Sequence, residues 1–130
     1  MSTQETSSKK PLTLLVVDDS EEIRTIIALL LRSRGYEVLE ADSGTTALQQ
    51  WEARKGKIQG VVCDIFMPGM DGLTLARNLR KKDPKLRILL TSGRINDDSQ
   101  WIAEEAGFGL LKKPFKEDEL FEVVETTFEK

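Results

Sequence analysis

The sequence alternates short apolar runs with longer amphipathic segments from Pro11 onward. Short apolar runs closed by polar residues are typical of strands buried on both faces, whereas the segments between them repeat apolar residues at helical spacing. Strands are predicted at Leu12–Val17, Tyr36–Ala41, Gly60–Ile65, Arg87–Thr91 and Leu110–Lys112. A strand–helix unit repeated in this way predicts an α/β fold, with a parallel sheet covered by helices on both faces.

The intervening segments carry the start and stop signals of helices. Ser20 or Asp19 is suited to cap the first helix, which Gly35 would end. The other helices are predicted at Ser43–Arg54, Leu73–Lys82, Asp97–Ala106 and from about Glu117 onward. Both tryptophans, Trp51 and Trp101, are expected to be packing residues.

The length and composition fit one domain. The chain has 130 residues, of which 39% are hydrophobic, enough for a single core. Residues 1–10 are rich in Ser, Thr and Lys and are expected to be a disordered tail. The domain is expected to cover residues 11–130, with no second domain.

Several classes of function are disfavoured by composition. The net charge of −3, with both signs interspersed, argues against nucleic-acid binding, and no apolar run approaches the roughly 20 residues of a membrane span. The single cysteine, Cys63, cannot form an internal disulfide, so a cytoplasmic location is expected. The absence of histidine excludes Ser-His-Asp and Cys-His catalysis, which leaves carboxylates, hydroxyls, lysine and a hard cation.

Chemically distinctive residues close four of the predicted strands. They are Asp18 and Asp19 after the first, Asp64 after the third, Ser92 after the fourth and Lys113 after the fifth. The carboxyl ends of parallel strands form the ligand-binding edge of such a sheet. Three carboxylates gathered there repel one another, and Mg²⁺ would neutralise them through its preference for oxygen ligands. Together with a lysine and a hydroxyl, they indicate a site where an aspartate carries a phosphoryl group.

Simpler interpretations exist for each residue alone. The Asp18–Asp19 pair could cap a helix, Asp64 could begin a turn, and Lys113 could be an ordinary solvated lysine. Thr91 competes with Ser92 as the hydroxyl of the site, although the small Gly93 after Ser92 favours the latter. Cys63 is expected to be a small core residue beside Asp64, with redox sensing as the alternative.

Four motifs in sequence order, VVDDSEEIR, DIFMPGMDG, LLTSG and KKPF, resemble those of response-regulator receiver domains of two-component phosphorelay signalling. The resemblance covers nearly all of Leu12 to Phe128 and includes a likeness to chemotaxis regulators. It implies a flavodoxin-like fold with strand order 2-1-3-4-5. It also implies a cis peptide bond between Lys113 and Pro114.

The resemblance assigns a role to each residue of the site. Asp64 becomes the phosphoacceptor, Asp19 a direct Mg²⁺ ligand, and Asp18 a support for the ion, largely through water. The backbone carbonyl of Phe66 becomes a further ligand. Ser92 is similar to the switch hydroxyl of the family and Lys113 to its phosphate-binding lysine, and Phe66 and Arg94 lie where family members tune the lifetime of the phosphoryl group.

The implied function is a switch rather than a conventional enzyme, since the only chemistry is the domain's own phosphorylation and dephosphorylation. The donor would be a sensor histidine kinase or a histidine phosphotransfer protein. The altered surface of the fourth helix, fifth strand and fifth helix would bind a downstream protein target. Leu110 departs from the Tyr or Phe of many receivers, and the segment from Gly107 to Lys113 is one residue short. We therefore expect Leu110 to shift less on activation than an aromatic residue would.

Two other classes of protein stay open at this point. The chain could be a scaffold of receiver shape that needs no phosphorylation, although a scaffold has no chemical reason to keep mutually repelling carboxylates. It could also be a phosphohydrolase with an aspartyl-phosphate intermediate. That chemistry needs a second carboxylate near the nucleophile, and the residue two positions after Asp64 is Phe66.

Overall fold

The computed structural model describes residues 11–93 and 97–130, and for residues 97–99 it describes the backbone. Five strands alternate with five helices over these residues. The strands are β1 (Thr13–Val17), β2 (Glu37–Ala41), β3 (Gly60–Asp64), β4 (Arg87–Ser92) and β5 (Gly109–Lys112). The helices are α1 (Glu21–Ser33), α2 (Gly44–Ala53), α3 (Gly72–Lys82), α4 (Asp97–Ala106) and α5 (Glu117–Glu129). The predictions for the tail, residues 1–10, and for Arg94 lie outside the described residues.

The strands form one parallel sheet in the order β2-β1-β3-β4-β5. This order confirms the predicted flavodoxin-like α/β fold. The order reverses at β1, because β2 lies on one side of it and β3 on the other. The carboxyl ends of β1 and β3 are therefore neighbours at the switch point where such sheets bind ligands.

The helices cover both faces of the sheet. On one face, α1 and α5 pack Ile27, Leu31, Leu120 and Val124 against the strands. On the other face, α2, α3 and α4 contribute a second core with Trp51, Leu75, Leu79 and Ala103. Residues alternate between the two cores along each strand, as the pleat requires. The sheet is therefore buried on both sides, and the strand ends are left as the place for polar chemistry.

Most element bounds lie within one or two residues of the predicted ones. The main difference at the site is that β4 continues through Ser92, which pairs with Lys112 of β5. The helix α1 begins after Ser20, whose hydroxyl accepts from the Ile23 amide at 3.3 Å. Arg34 is its C-cap, and Gly35 follows in a left-handed conformation. Ser20 rather than Asp19 is therefore the cap.

The two tryptophans differ in their surroundings. Trp51 is buried in the core, as expected. The packing expectation is wrong for Trp101, whose exposed fraction is 61%. The helix α4 buries Ala103 instead, and residues two positions apart in a helix point in nearly opposite directions. Trp101 thus lies on the outer side of α4.

Candidate functional site

The end of β1 holds Asp18 in a fixed position. Its side chain is almost fully buried, with 1% of the residue exposed, and its Oδ1 atom accepts from the Ser20 amide at 2.9 Å. Its own amide donates to the Ala41 carbonyl at 3.2 Å. The adjacent Asp19 is exposed. Since Ser20 is the N-cap of α1, neither Asp18 nor Asp19 serves as the helix cap.

The end of β3 places Asp64 against the start of α3. Asp64 is 8% exposed, and the following turn folds back so that the Gly72 amide donates to the Ile65 carbonyl at 2.7 Å. A Cβ atom added to Gly72 would lie 2.1 Å from the backbone oxygen of Asp64. Only glycine fits at this close approach. The turn after β3 is therefore built to bring a helix onto the backbone of Asp64.

The sheet brings the three predicted carboxylates together. Oxygen atoms of Asp18, Asp19 and Asp64 all lie within 4.8 Å of one another. Hydrogen bonding alone cannot hold three ionised carboxylates so close, because carboxylates accept but do not donate. The cluster is thus a strongly negative point at the edge of the sheet.

Lys113 reaches this cluster from the end of β5. Its Nζ atom donates to Asp18 Oδ2 at 2.8 Å and lies 3.4 Å from Asp64 Oδ1. The Lys113–Pro114 bond is cis, as predicted, and the Lys113 amide donates to the Ser92 carbonyl at 2.8 Å. The interpretation of Lys113 as an ordinary solvated lysine is wrong, since its ammonium group is paired with two carboxylates inside the site.

Burial raises the pKa of Asp64, and the neighbouring charges of Asp18 and Asp19 raise it further, whereas Lys113 acts in the opposite direction. The net result is a pKa above the usual range of an aspartate. The ionised form of Asp64 is therefore less favourable in the folded protein than in water, and a bound cation would stabilise it.

The donor set fits a hard divalent cation. The cluster offers carboxylate oxygens, and the ammonium group of Lys113, the one that contacts it among the described residues, cannot balance three ionised carboxylates. Mg²⁺ takes oxygen ligands, needs few of them from the protein and keeps several waters. The arrangement is consistent with a metal site made by Asp18, Asp19 and Asp64.

Two hydroxyls lie side by side at the end of β4. Thr91 and Ser92 are both fully buried, and Thr91 is the strand partner of Asp64. Successive strand residues face opposite sides of the sheet. Ser92 lies two residues after Leu90, the strand partner of Leu110, so Ser92 shares a face of the sheet with these leucines and Thr91 does not. The assignment of Ser92 rather than Thr91 as the switch hydroxyl stays a prediction.

Cys63 precedes Asp64 and is fully buried, as expected. Its thiol donates to the Asp64 backbone oxygen at 3.3 Å. Burial raises the pKa of the Cys63 thiol well above its usual range, and the charge of Asp64 adds to this effect. A protonated, buried thiol is a poor nucleophile, so the structure favours packing over redox sensing for this residue.

One residue at the site was missed in the sequence. The guanidinium group of Arg24, from α1, donates through Nη1 to the backbone carbonyl of Asp18 at 2.9 Å. Its Nε atom donates to Glu40 of β2 at 3.2 Å. The only signal in the sequence is an arginine in the second turn of the helix that follows Asp18–Asp19, and the contact itself depends on the pairing of β1 with β2.

Within the described part of the chain, no helix is both long and apolar enough to cross a membrane.

The comparisons with known proteins agree on a family. The family model of the response regulator receiver domain matches residues 14–125 of this chain. Chemotaxis protein CheY of Pseudomonas aeruginosa is 37% identical over 121 residues, which cover 90% of this chain and 96% of that protein. Sensor kinase CckA of Brucella abortus is 40% identical over 119 residues, which cover 91% of this chain but 13% of the kinase. The chain also spans 27% of the transcriptional regulatory protein GlrR of Escherichia coli.

Solved structures give the same result. A putative response regulator from Chloroflexus aurantiacus has a TM-score of 0.81 and 35% identity, covering 93% of this chain and 100% of that one. The receiver domain from hybrid histidine kinase CckA has a TM-score of 0.74 and 36% identity, covering 88% of this chain and 96% of that one. The likeness therefore extends over both sequence and fold.

Proposed function

The chain belongs to the response regulator receiver domain family of two-component signalling, and we propose that it accepts a phosphoryl group on Asp64 in a Mg²⁺-dependent reaction. The observation that carries this proposal is the position of Asp64 within a cluster of three carboxylates whose oxygens lie within 4.8 Å, with Lys113 Nζ 3.4 Å from its Oδ1 atom. This arrangement provides a nucleophile, a place for a cation and a fixed positive charge.

We propose that Asp19, Asp64 and the backbone carbonyl of Phe66 would hold the metal directly, and that Asp18 would support it largely through water. When bound, Mg²⁺ supplies positive charge to the oxygens of the incoming phosphoryl group. The buried Asp18 is already fixed through its amide and both carboxylate oxygens. It therefore holds its place without reorganisation.

Asp64 acts as the nucleophile. One of its carboxylate oxygens forms a bond to phosphorus as the bond from phosphorus to the donor's imidazole nitrogen breaks, and the electron pair stays on that nitrogen. Burial keeps Asp64 from being fully solvated, so less water has to leave its oxygens before they attack. The Nζ atom of Lys113, 3.4 Å from Asp64 Oδ1, would pair with the transferred group while it keeps its bond to Asp18 Oδ2. The charge of roughly −1.5 to −2 on that group attracts it.

Ser92 then detects the product. Its place at the carboxyl end of β4 would let its hydroxyl hydrogen-bond the phosphoryl oxygens. This step shifts the population from the unphosphorylated to the phosphorylated conformation of the domain. The free energy of the shift equals the difference between the interaction free energies of the phosphoryl group with the two conformations. The surface of α4, β5 and α5 carries the change to a downstream protein target. The domain thereby works as a switch, and its only chemistry is on itself.

The receiver family implies a histidine kinase as the source of the phosphoryl group. We propose that the immediate donor is a sensor histidine kinase or a histidine phosphotransfer protein. We further propose that the receiver unit covers residues 11–130. A cytoplasmic location suits the free, buried thiol of Cys63.

Intact-mass measurement tests this function. The protein is incubated with acetyl phosphate with and without Mg²⁺, and the same is done with Asp64→Asn. We expect a single phosphoryl adduct on the wild type in Mg²⁺, with none in excess chelator and none on the variant. An adduct that forms equally on Asp64→Asn would contradict the role of Asp64. Absence of any adduct from acetyl phosphate and from a phosphorylated histidine phosphotransfer protein would favour the scaffold.

A further inference from the structure

Arg24 links three parts of the fold beside the carboxylate cluster. Its Nη1 atom donates to the Asp18 backbone carbonyl at 2.9 Å, and its Nε atom donates to Glu40 Oε1 at 3.2 Å. The side chain is 15% exposed and is thus largely taken out of water. We propose that Arg24 is a positioning residue for the metal site, acting through the peptide between Asp18 and Asp19, with Glu40 fixing the guanidinium.

The need for such a residue follows from the surroundings of Asp19. Asp18 is restrained by hydrogen bonds at its amide and at both carboxylate oxygens, whereas Asp19 is exposed. The direction of the Asp19 side chain therefore depends on the orientation of the peptide that precedes it. Arg24 binds the carbonyl of that same peptide. Fixing this carbonyl lowers the entropy that Asp19 loses when it coordinates a cation.

Glu40 keeps Arg24 in this orientation. The side chain of Arg24 must choose among many rotamers, and an ion pair at its Nε atom restricts them. Glu40 is placed there by the parallel pairing of β1 with β2, which puts it beside Val16. The planar guanidinium can bind a carboxylate and a carbonyl at once, whereas a lysine ammonium lacks this fixed geometry.

The charge of Arg24 alone predicts the opposite effect on metal binding. A cation beside a carboxylate cluster repels a second cation, so removal of Arg24 would strengthen Mg²⁺ binding if charge were its only contribution. A positioning role predicts weaker binding after the same removal. The sign of the change in Mg²⁺ affinity therefore separates the two roles.

Arg32 provides a matched control. It lies on the same helix, binds the other oxygen of Glu40 at 3.5 Å, and donates to a β2 carbonyl, that of Val38, at 3.0 Å. Like Arg24, it contacts both Glu40 and a backbone carbonyl, but this carbonyl belongs to β2 rather than to Asp18. Its side chain is more exposed, at 46%, so the two variants are compared on metal affinity with the melting temperature recorded for each.

The experiment is a Mg²⁺ titration of the full chain, followed by the amide NMR shifts of Asp19 and Asp64. We expect Arg24→Gln and Arg24→Lys to raise the dissociation constant about fivefold or more, and Arg32→Gln to stay within about twofold of wild type. Glu40→Gln, which keeps both arginines, should weaken binding in the same direction as Arg24→Gln. Saturating Mg²⁺ should restore most of the rate of phosphorylation by acetyl phosphate, because the nucleophile is intact.

The inference rests on the proposed function, and the titration separates their failures. A wild type that binds no Mg²⁺ overturns both. A wild type that binds Mg²⁺ while Arg24→Gln binds it equally or more tightly overturns the positioning role alone. If Arg24→Gln does not fold, Arg24→Lys and Glu40→Gln decide the matter, and wild-type affinity in both overturns the inference.

Discussion

The fold buries Asp64 and places it beside two other carboxylates and the ammonium group of Lys113. Burial and these neighbours raise its pKa, so the native state binds a proton more readily than the unfolded chain does. Ionised Asp64 therefore costs stability above its folded pKa; the cost shrinks as pH falls through that pKa and is gone below the pKa of the unfolded chain. The residue illustrates how a functional group is kept at the expense of stability.

We predict that Asp64→Asn is more stable than wild type at neutral pH without Mg²⁺. Each kcal/mol moves the melting temperature of a domain of this size by about 4 °C, so a rise of a few degrees is expected. The difference should shrink as pH falls through the folded pKa of Asp64, because wild type is then neutral there too. Melting curves across pH check this, with the exposed Glu105→Gln as a control that should change little. A less stable Asp64→Asn at neutral pH would contradict the prediction.

Phe66, a large apolar residue, follows Asp64 by two residues and is 46% exposed. We predict that it shields the acyl phosphate from water. Phe66→Asn should shorten the phosphoryl lifetime about tenfold, equivalent to about 1.4 kcal/mol in the barrier to hydrolysis. Decay of the adduct mass after removal of the donor measures this, and Phe66→Leu, which keeps an apolar side chain, should stay near wild type. An unchanged lifetime in Phe66→Asn would refute the shielding role.

At the scale of elements, the start of α3 determines how the backbone of Asp64 is held. The side chain of Asp71 caps the helix by accepting from the Thr74 amide at 2.8 Å, and Gly72 packs directly on the Asp64 carbonyl. A cap contributes about 1 kcal/mol to stability, whereas the approach of Gly72 leaves no room for a methyl group. The two residues therefore support the same helix in different ways.

We predict that Gly72→Ala moves α3 away from β3 and disturbs the nucleophile. The clash with backbone atoms should cost roughly 1–3 kcal/mol, the range found for overpacking, and phosphorylation by acetyl phosphate should slow markedly. Asp71→Ala is the matched variant, expected to lose about 1 kcal/mol without displacing Asp64. Urea unfolding and phosphorylation rates check both variants. Equal phosphorylation rates in the two at equal folded fraction would show that the contact does not position Asp64.

Comparison of elements explains what the sequence could predict. The apolar runs end in Asp18, Asp64 and Lys113, and the rule that parallel strands end at one edge was enough to bring these residues together. The contact of Arg24 with the Asp18 carbonyl could not be predicted, because it needs the rotamer of a long side chain and the β1–β2 register. Exposure of Trp101 escaped prediction because composition does not reveal which side of a helix faces the core.

At the scale of the whole molecule, the site and the proposed output surface are joined through β4 and β5. Ser92 accepts from the Lys113 amide, and Leu110 pairs with Leu90 two residues before Ser92. Leu110 is half-buried and lines a shallow cleft with Gln100 and Phe108. The smaller side chain at this position has less surface to bury or expose than the aromatic residue of many receivers.

We predict a graded response across the molecule when Asp64 is phosphorylated. Amide shifts should be large at Asp19, Asp64 and Lys113, and clearly smaller at Leu110. Two-dimensional NMR with and without acetyl phosphate in Mg²⁺ measures them, and Asp64→Asn treated identically gives the background. Changes at Leu110 as large as those beside Asp64 would mean that leucine moves as fully as an aromatic switch.

The central claim is that the phosphoryl group is carried by Asp64 as an acyl phosphate. Borohydride reduces an acyl phosphate to an alcohol with release of phosphate, which converts a phosphorylated aspartate to homoserine. Peptide mass mapping after acetyl phosphate, Mg²⁺ and borohydride then locates the modified residue. We expect homoserine at position 64 and nowhere else. Homoserine at position 18 or 19, or a borohydride-resistant phosphate on Ser92, would contradict the claim.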